Sequence, residues 1–252
     1  MSEQSSVQSV ERAFRIIELL CEKGELGITE IAVLSGLNKA TVYRFLSTLC
    51  GLGYVRKRAA NEKYTLTLKF LKLSADTLSK IDIRRYARRY LEQIPKITGE
   101  TVHLVEKNGN ETVYIDKFES AVNSVRMVSR VGLSLPMVYT AVGKALMSHL
   151  DDEEIRKIWD SSAVCKKTDK TITDFGVFME EIRKVRENGY AADREENEEG
   201  VCCVAAALPD VYGEYRYAFS VSAPSSRMSE EKIAEIGRLV TETAAKISCR
   251  DE

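Results

Sequence analysis

The chain has 252 residues, enough for two domains of common size, and its 37 lysines and arginines are balanced by 38 aspartates and glutamates. No apolar run is long enough to span a membrane and the polar residues 1–9 do not form a signal peptide, so we expect a cytoplasmic protein. The six cysteines form no Cys-x-x-Cys pair and only two histidines are present, which argues against a disulfide framework and a structural zinc site.

Three helices are predicted in the first 52 residues. The first covers residues 9–23, where apolar side chains recur at helical spacing. The second covers residues 28–35 and is ended by Gly36; the third covers residues 39–52 and follows Asn38, a good N-cap. A short helix, a tight turn and a second helix are typical of a helix-turn-helix, whose second helix lies in the DNA major groove.

A basic hairpin follows, with residues 54–58 and 63–66 predicted as the strands of a wing. Residues 1–75 carry 11 basic and 7 acidic residues, a local charge of +4, whereas the remainder of the chain carries −5. This excess favours a phosphate-binding surface, because neutralised phosphates release counterions; a solvated basic face is the alternative. We expect Thr41, Tyr43 and Arg44 to reach base edges and the wing to contact phosphate. The residues predicted to bind DNA are Lys39, Thr41, Tyr43, Arg44, Arg56, Lys57 and Arg58.

A further helix is predicted over residues 67–89. It divides the chain into a winged helix-turn-helix DNA-binding domain (1–75), a linker helix (76–90) and a second domain (91–252). The end of this helix is strongly basic over residues 84–89. It either touches phosphate or forms a solvated face beside a dimer interface.

The second domain alternates between strands and helices. Strands are predicted at 101–105, 111–117, 125–131, 201–208 and 215–223, and helices at 140–150, 151–159, 174–188 and 229–248. The first two strands form a hairpin across Asn108-Gly109-Asn110. We therefore expect an α+β fold, in which a mostly antiparallel sheet has helices packed on it.

Two features of this domain suggest a ligand pocket. Alternation in residues 217–224 places Ser220 and Ser222 on one face of a strand, about 7 Å apart along it. Residues 140–144 begin a helix with small side chains, and the free N–H groups of a helix start bind anions. A serine ladder on a solvated sheet face and plain helix capping are the alternatives.

Several long motifs, in order, resemble the IclR-type transcriptional regulators. They are Ser9-Val10-Glu11-Arg12-Ala13, the helix-turn-helix and wing, 139–145, Gly189-Tyr190 with Asp193 and Glu195-Glu196, 200–206 and 220–224. The resemblance implies a winged helix joined by a helix to a GAF/profilin-like antiparallel sheet with flanking helices. It also implies a homodimer or homotetramer that binds a double-stranded DNA operator. A repressor of a carbon-catabolism operon, controlled by a small carboxylic-acid effector, is the expected function.

The resemblance also implies which residues bind the effector. Segments 117–120 and 125–132 resemble the branch that senses sugar-acid breakdown products such as ketodeoxygluconate. We expect either Arg126 or Arg130 to pair with the effector carboxylate; the alternative is an arginine on the surface. Met127 either lines the pocket or is part of the core. Asp193 is in an acidic loop and Cys203 in a strand that looks buried. The expected effector-binding residues are Met127, Ala141, Val142, Asp193, Cys203, Ser220 and Ser222.

Two other classes of protein are considered. An enzyme would use Cys203 as nucleophile with Asp193 and His103, or would be a metal hydrolase using the same groups, but no sequence feature ties His103 to Cys203. A DNA-binding architectural protein without a ligand would not need a second domain with two pocket-like features. We therefore expect no catalytic residues, no cofactor and no metal.

Overall fold

A computed structural model of the chain describes residues 7–120, 129–210 and 212–249. The chain forms two compact units; the first ends at Lys80 and the second begins at Ile81. Within the described ranges no helix has the length and apolar character needed to cross a membrane.

The first unit is a helix-turn-helix followed by a two-stranded antiparallel wing. Asn38 caps α3 by accepting a hydrogen bond from the Thr41 N–H at 2.8 Å, and Gly36 takes the left-handed conformation that ends α2. Val42 and Leu46 of α3 are buried in the core, as their spacing predicts. The elements are α1 Gln8–Lys23, α2 Ile28–Ser35, α3 Lys39–Gly51, β1 Val55–Lys57, β2 Tyr64–Leu66 and α4 Lys69–Leu78.

The single helix predicted over residues 67–89 is instead two helices, α4 and α5 (Asp82–Leu91). Ile81 between them has an extended backbone, with φ −85° and ψ 98°. The helical spacing of apolar residues, three or four along the chain, is interrupted at this point, because the buried Ile83 follows Leu78 by five residues. The helix α5 packs in the second unit, and the assignment of residues 76–90 as a linker remains a prediction.

The second unit contains a six-stranded sheet in the order β5-β4-β3-β8-β7-β6, in which all neighbouring strands are antiparallel. Its elements after α5 are α6 Ile94–Thr98, β3 Thr101–Asn108, β4 Glu111–Phe118, β5 Ser134–Pro136, α7 Ala141–Met147, α8 Asp152–Ser161, α9 Phe175–Asn188, β6 Ala191–Arg194, β7 Val201–Pro209, β8 Tyr215–Pro224 and α10 Glu230–Ser248. The predicted α+β fold class is confirmed.

Both edges of the sheet differ from the predicted elements. Residues 129–131 of the expected strand 125–131 are not in a strand, and residues 125–128 lie outside the described part of the chain. Asp193 is in the edge strand β6, so its assignment to an acidic loop is wrong. The other edge strand, β5, has three residues, too few for alternation to be visible.

Helices cover both faces of the sheet. The helix α7 packs on β6, β7 and β8, and α10 packs on β7 and β8. Gly143 allows the first turn of α7 to approach the preceding turn, because a Cβ at this position would collide with the carbonyl oxygen of Met137. The close packing holds the start of α7 against the turn that precedes it.

Candidate functional site

A cavity of about 510 Å³ lies within the second unit. Its walls are formed by side chains of β3, β4, β6, β7 and β8, by the start of α7, and by residues 129–135 and 197–201. A volume of this size is typical of a pocket for a small organic ligand.

The strand register brings the polar side chains of this cavity to one face of the sheet. Asp193 is opposite Cys203, Cys203 is opposite Ser222, and Ser220 is opposite His103. Residues that face each other across antiparallel strands point to the same side of the sheet. Four strands thus contribute to one polar wall of the cavity.

The two serines are inside the protein. Ser220 and Ser222 are each 3% exposed, so the alternative of a solvated serine ladder is wrong. Their hydroxyl oxygens are 3.5 Å apart, closer than the spacing of about 7 Å along the strand, because both side chains turn towards the same point. The Ser222 hydroxyl also contacts His103 Nδ1 at 3.2 Å and accepts from Cys203 Sγ at 3.1 Å.

His103 is a buried histidine of the cavity lining. Its Nε2 lies 2.6 Å from the Ser129 hydroxyl, and its ring meets the Tyr114 ring edge to face, with centroids 4.9 Å apart. Burial, helped by the positive charge of Lys117, lowers the pKa of His103 to about 3. The imidazole is therefore neutral at physiological pH and can donate one hydrogen bond and accept another.

The start of α7 combines capping with unused donors. The Thr140 side chain accepts from the Gly143 N–H at 3.1 Å, and the Thr140 carbonyl accepts from the Lys144 N–H at 2.9 Å. Among the described residues the N–H groups of Ala141 and Val142 have no acceptor, and both residues line the cavity. Plain capping accounts for the first pair of donors but leaves the second pair available to a ligand.

Asp193 is the buried carboxyl group of the cavity wall. Its Oδ1 accepts the Glu196 N–H at 2.7 Å. Burial raises the pKa of Asp193 to about 7, although Lys144 acts in the opposite direction. Behind it, the Lys144 ammonium donates to Glu196 Oε1 at 2.6 Å, and both side chains are buried.

The geometry does not support nucleophilic chemistry at Cys203. Burial raises the pKa of the thiol, chiefly by desolvation, so the reactive thiolate is disfavoured. His103 contacts Ser222 rather than Cys203, and its lowered pKa makes it a weak base.

Some cavity residues were not predicted from sequence. Alternation along β3 and β4 could have pointed to His103 and Tyr114, whereas Ser129 and Asn197 come from irregular segments with no periodic signal. Arg130 is exposed, lies outside any strand and lines the cavity, and its pairing with an effector carboxylate remains a prediction. The predicted Met127, like Arg126, lies outside the described residues.

The predicted DNA-binding residues lie on α3, on β1 and, for Arg58, directly after β1. Tyr43 and Arg44 are exposed on α3, as is Lys39 at its start, whereas Thr41 is half-buried. The three wing residues predicted to bind DNA, Arg56, Lys57 and Arg58, are exposed. Two of them form ion pairs, Lys57 with Glu62 at 2.7 Å and Arg58 with Glu25 at 2.5 Å. The contacts of these seven residues with DNA remain a prediction.

Comparison with known proteins assigns both units. The family described as "Bacterial transcriptional regulator IclR C-terminal" matches residues 75–249, and the "IclR helix-turn-helix domain" matches residues 9–59. The chain belongs to the IclR family. It is therefore a DNA-binding transcriptional regulator, as its sequence predicts, and the enzyme alternative is wrong.

Relatives of this IclR-family chain match it over nearly its whole length. The HTH-type transcriptional regulator KdgR of Escherichia coli is 38% identical over 245 residues, which cover 97% of this chain and 93% of KdgR. The crystal structure of the Thermotoga maritima IclR is 33% identical with a TM-score of 0.77, covering 96% of this chain and 97% of that one.

The same fold occurs with a ligand in a more distant neighbour. An IclR homologue from Microbacterium hydrocarbonoxydans, solved in complex with 4-hydroxybenzoate, is 18% identical with a TM-score of 0.79, covering 95% of this chain and 97% of that one. At this identity the likeness concerns the fold alone.

Proposed function

We propose that this regulator represses a carbon-catabolism operon and that a small organic or sugar acid, bound in the cavity of the second unit, controls its affinity for DNA. One observation carries this proposal: the unused backbone N–H groups of Ala141 and Val142 and the buried hydroxyls of Ser220 and Ser222 line the same cavity of about 510 Å³. Unpaired buried polar groups are costly, so a site of this kind is stabilised by a ligand that completes its hydrogen bonds.

The donors of the cavity suit a carboxylate. The N–H groups of Ala141 and Val142 and the hydroxyl of Ser220 donate hydrogen bonds to an anion, and Arg130 adds a positive charge to the lining. The carboxyl group of Asp193 accepts the backbone N–H groups of Glu196 and Asn197 and has further lone pairs that can accept from a ligand hydroxyl. An acid that also carries hydroxyl groups satisfies both sets of protein groups.

The class of the effector is supported from two further sides. The sequence resembles the branch that senses sugar-acid breakdown products, and the chain is 38% identical to KdgR. We take the direction of control, repression that the acid relieves, from the resemblance. The regulator would act in the cytoplasm, where the operator is.

We also propose that the chain works as a homodimer or homotetramer. Val10 and Phe14 form an apolar stripe on α1, 52% and 57% exposed, and Leu71 of α4 is 65% exposed. Large apolar side chains in such rows are typical of protein–protein interfaces. Paired helix-turn-helix units bind two half-sites, which gives the affinity that one small footprint lacks.

The cavity is tested by ligand binding to a serine variant. A panel of small organic and sugar acids is screened by thermal shift, because a ligand that binds the native state raises the melting temperature. For each acid that binds, Ser220→Ala with Ser222→Ala should weaken binding by about ten- to a hundredfold.

The control is Ser148→Ala, since this half-buried serine lies at the other end of α7, outside the cavity. It should bind each acid as the unaltered protein does. If the double variant also binds as tightly as the unaltered protein, the effector site is elsewhere.

A further inference from the structure

A second groove, in the first unit, is lined by both α1 and α3. Its volume is about 320 Å³. It contains two arginines and three hydroxyl groups and no carboxylate. The lining residues are Ser9 and Arg12 of α1 and Thr41, Arg44, Phe45 and Thr48 of α3.

Arg12 is the unexplained residue of this groove. It is half-buried, and no ion pair links it to a carboxylate among the residues that the structure describes. Its guanidinium carries up to five hydrogen-bond donors and a permanent charge. Arg44 brings a second positive charge to the same groove from α3. An anion bound there would relieve the repulsion between the two arginines and use their donors.

The position of the groove on α3 indicates which anion it binds. Thr41 and Thr48, which line it, are seven residues apart and lie on one side of the helix. Tyr43, two residues after Thr41 and about 200° further around the helix, lies on the other side, near Lys57 and Tyr64 of the wing. The groove and the wing therefore flank α3 on opposite sides, and the exposed face with Arg44 lies between them.

A helix in the major groove has a phosphodiester backbone on each side. The wing supplies cations on one side of α3. We propose that the groove of Ser9, Arg12 and Thr48 binds a phosphate of the DNA backbone on the other side, with Arg12 as its main donor. This extends the DNA-binding surface from α3 and the wing onto α1, and it rests on the DNA-binding role of the chain. The contact positions the protein on the duplex and carries no sequence information.

The experiment measures binding to a mixed-sequence duplex of about 30 base pairs by fluorescence anisotropy over a series of salt concentrations. Arg12→Ala should lower the affinity about three- to tenfold near physiological salt and reduce the slope of log K against log salt by about one. Arg12→Lys keeps the charge and should retain the slope. Thermal unfolding of each variant shows whether the first unit remains folded.

Arg15→Ala is the matched control, because Arg15 is exposed on the same helix and does not line the groove. It should bind within about twofold of the unaltered protein with an unchanged slope. Equal effects of the Arg12 and Arg15 variants, or an unchanged slope for Arg12→Ala, would overturn the proposal.

If Arg12→Ala does not fold, Thr48→Glu replaces it, since a carboxylate placed in the groove should weaken DNA binding at least as much. Unaltered DNA binding by that variant would also overturn the proposal. An unaltered protein that binds no duplex would instead contradict the DNA-binding role itself.

Discussion

Asp193 and His103 line the same cavity, but folding changes their protonation in opposite directions. Burial raises the pKa of Asp193 from 3.8 to about 7, so over this range the folded state holds a proton that the unfolded state has lost. Burial lowers the pKa of His103 from 6.5 to about 3, so over that range the unfolded state holds the extra proton. The first effect makes the free energy of unfolding fall as the pH rises, and the second makes it rise.

We therefore predict that the two effects largely cancel in the unaltered protein between about pH 4 and pH 6.5. Each has a limiting slope of about 1.4 kcal/mol per pH unit. Asp193→Asn should leave the His103 effect, so the free energy of unfolding should rise with pH; His103→Gln should make it fall. Urea denaturation at several pH values in this range measures both slopes. Parallel pH profiles for the two variants would contradict the assignment.

The buried pair of Lys144 and Glu196 gives a second prediction at the residue scale. Their charged atoms are 2.6 Å apart and Lys144 is fully buried, so removal of one partner leaves an uncompensated charge in a low dielectric. Glu196→Gln should lower the free energy of unfolding by about 3–5 kcal/mol. Lys144→Met combined with Glu196→Gln should cost less than Glu196→Gln alone. Denaturant unfolding measures both free energies, and a double variant that loses more stability than Glu196→Gln alone would show that the pair is not coupled.

At the scale of elements, local signals predicted the helices well. Asn38, Asp151, Asp174 and Ser229 each cap a helix with a side-chain hydrogen bond, and a capping residue is visible in the sequence. The break between α4 and α5 was missed because residues 79–81 contain neither glycine nor proline. Only a change in the spacing of the apolar residues marks the break, because those before it lie on the surface of the first unit and those after it lie in the core of the second.

The cavity could be predicted in part, for a related reason. The alternation of bulky and small side chains along β8 identified Ser220 and Ser222, because this pattern lies within one short stretch of the sequence. Asp193, Cys203 and His103 join them only through the register of four strands, and register depends on contacts between segments distant in sequence. The family resemblance supplied Asp193 and Cys203, whereas periodicity alone did not.

The wing allows a prediction about Arg56, Lys57 and Arg58. Lys57 and Arg58 are held by Glu62 and Glu25, whereas Arg56 has no ion pair within the described ranges. A side chain that must first leave a carboxylate gains less from a phosphate. Arg56→Ala should therefore weaken binding to all sequences alike and lower the salt slope by about one, with a smaller effect for Lys57→Ala. Anisotropy titrations against two unrelated duplexes measure this; a larger loss for Lys57→Ala would contradict it.

At the scale of the whole molecule, the exposed apolar stripes predict self-association. Sedimentation at micromolar concentration should show a dimer or tetramer. Phe14→Asp places a charge in the α1 stripe and should shift the association equilibrium towards the monomer. DNA binding should then weaken, because two separate monomers bind the two half-sites independently. Val33→Asp is the control, since Val33 is 77% exposed on α2, a different helix from those of the α1 stripe and Leu71. A monomer with undiminished DNA affinity would contradict the proposed assembly.

The central claim is that an acid bound in the second unit controls DNA binding by the first. Its most direct test is the affinity for a duplex selected by the protein from a random pool, measured with and without an acid that raises the melting temperature. We predict that the acid lowers this affinity for the unaltered protein and for Ser148→Ala. The variant with Ser220→Ala and Ser222→Ala should bind the duplex equally well but respond only at about ten- to a hundredfold higher acid concentration. An acid that binds without changing the affinity for DNA, or that acts on the double variant at the same concentration, would contradict the account.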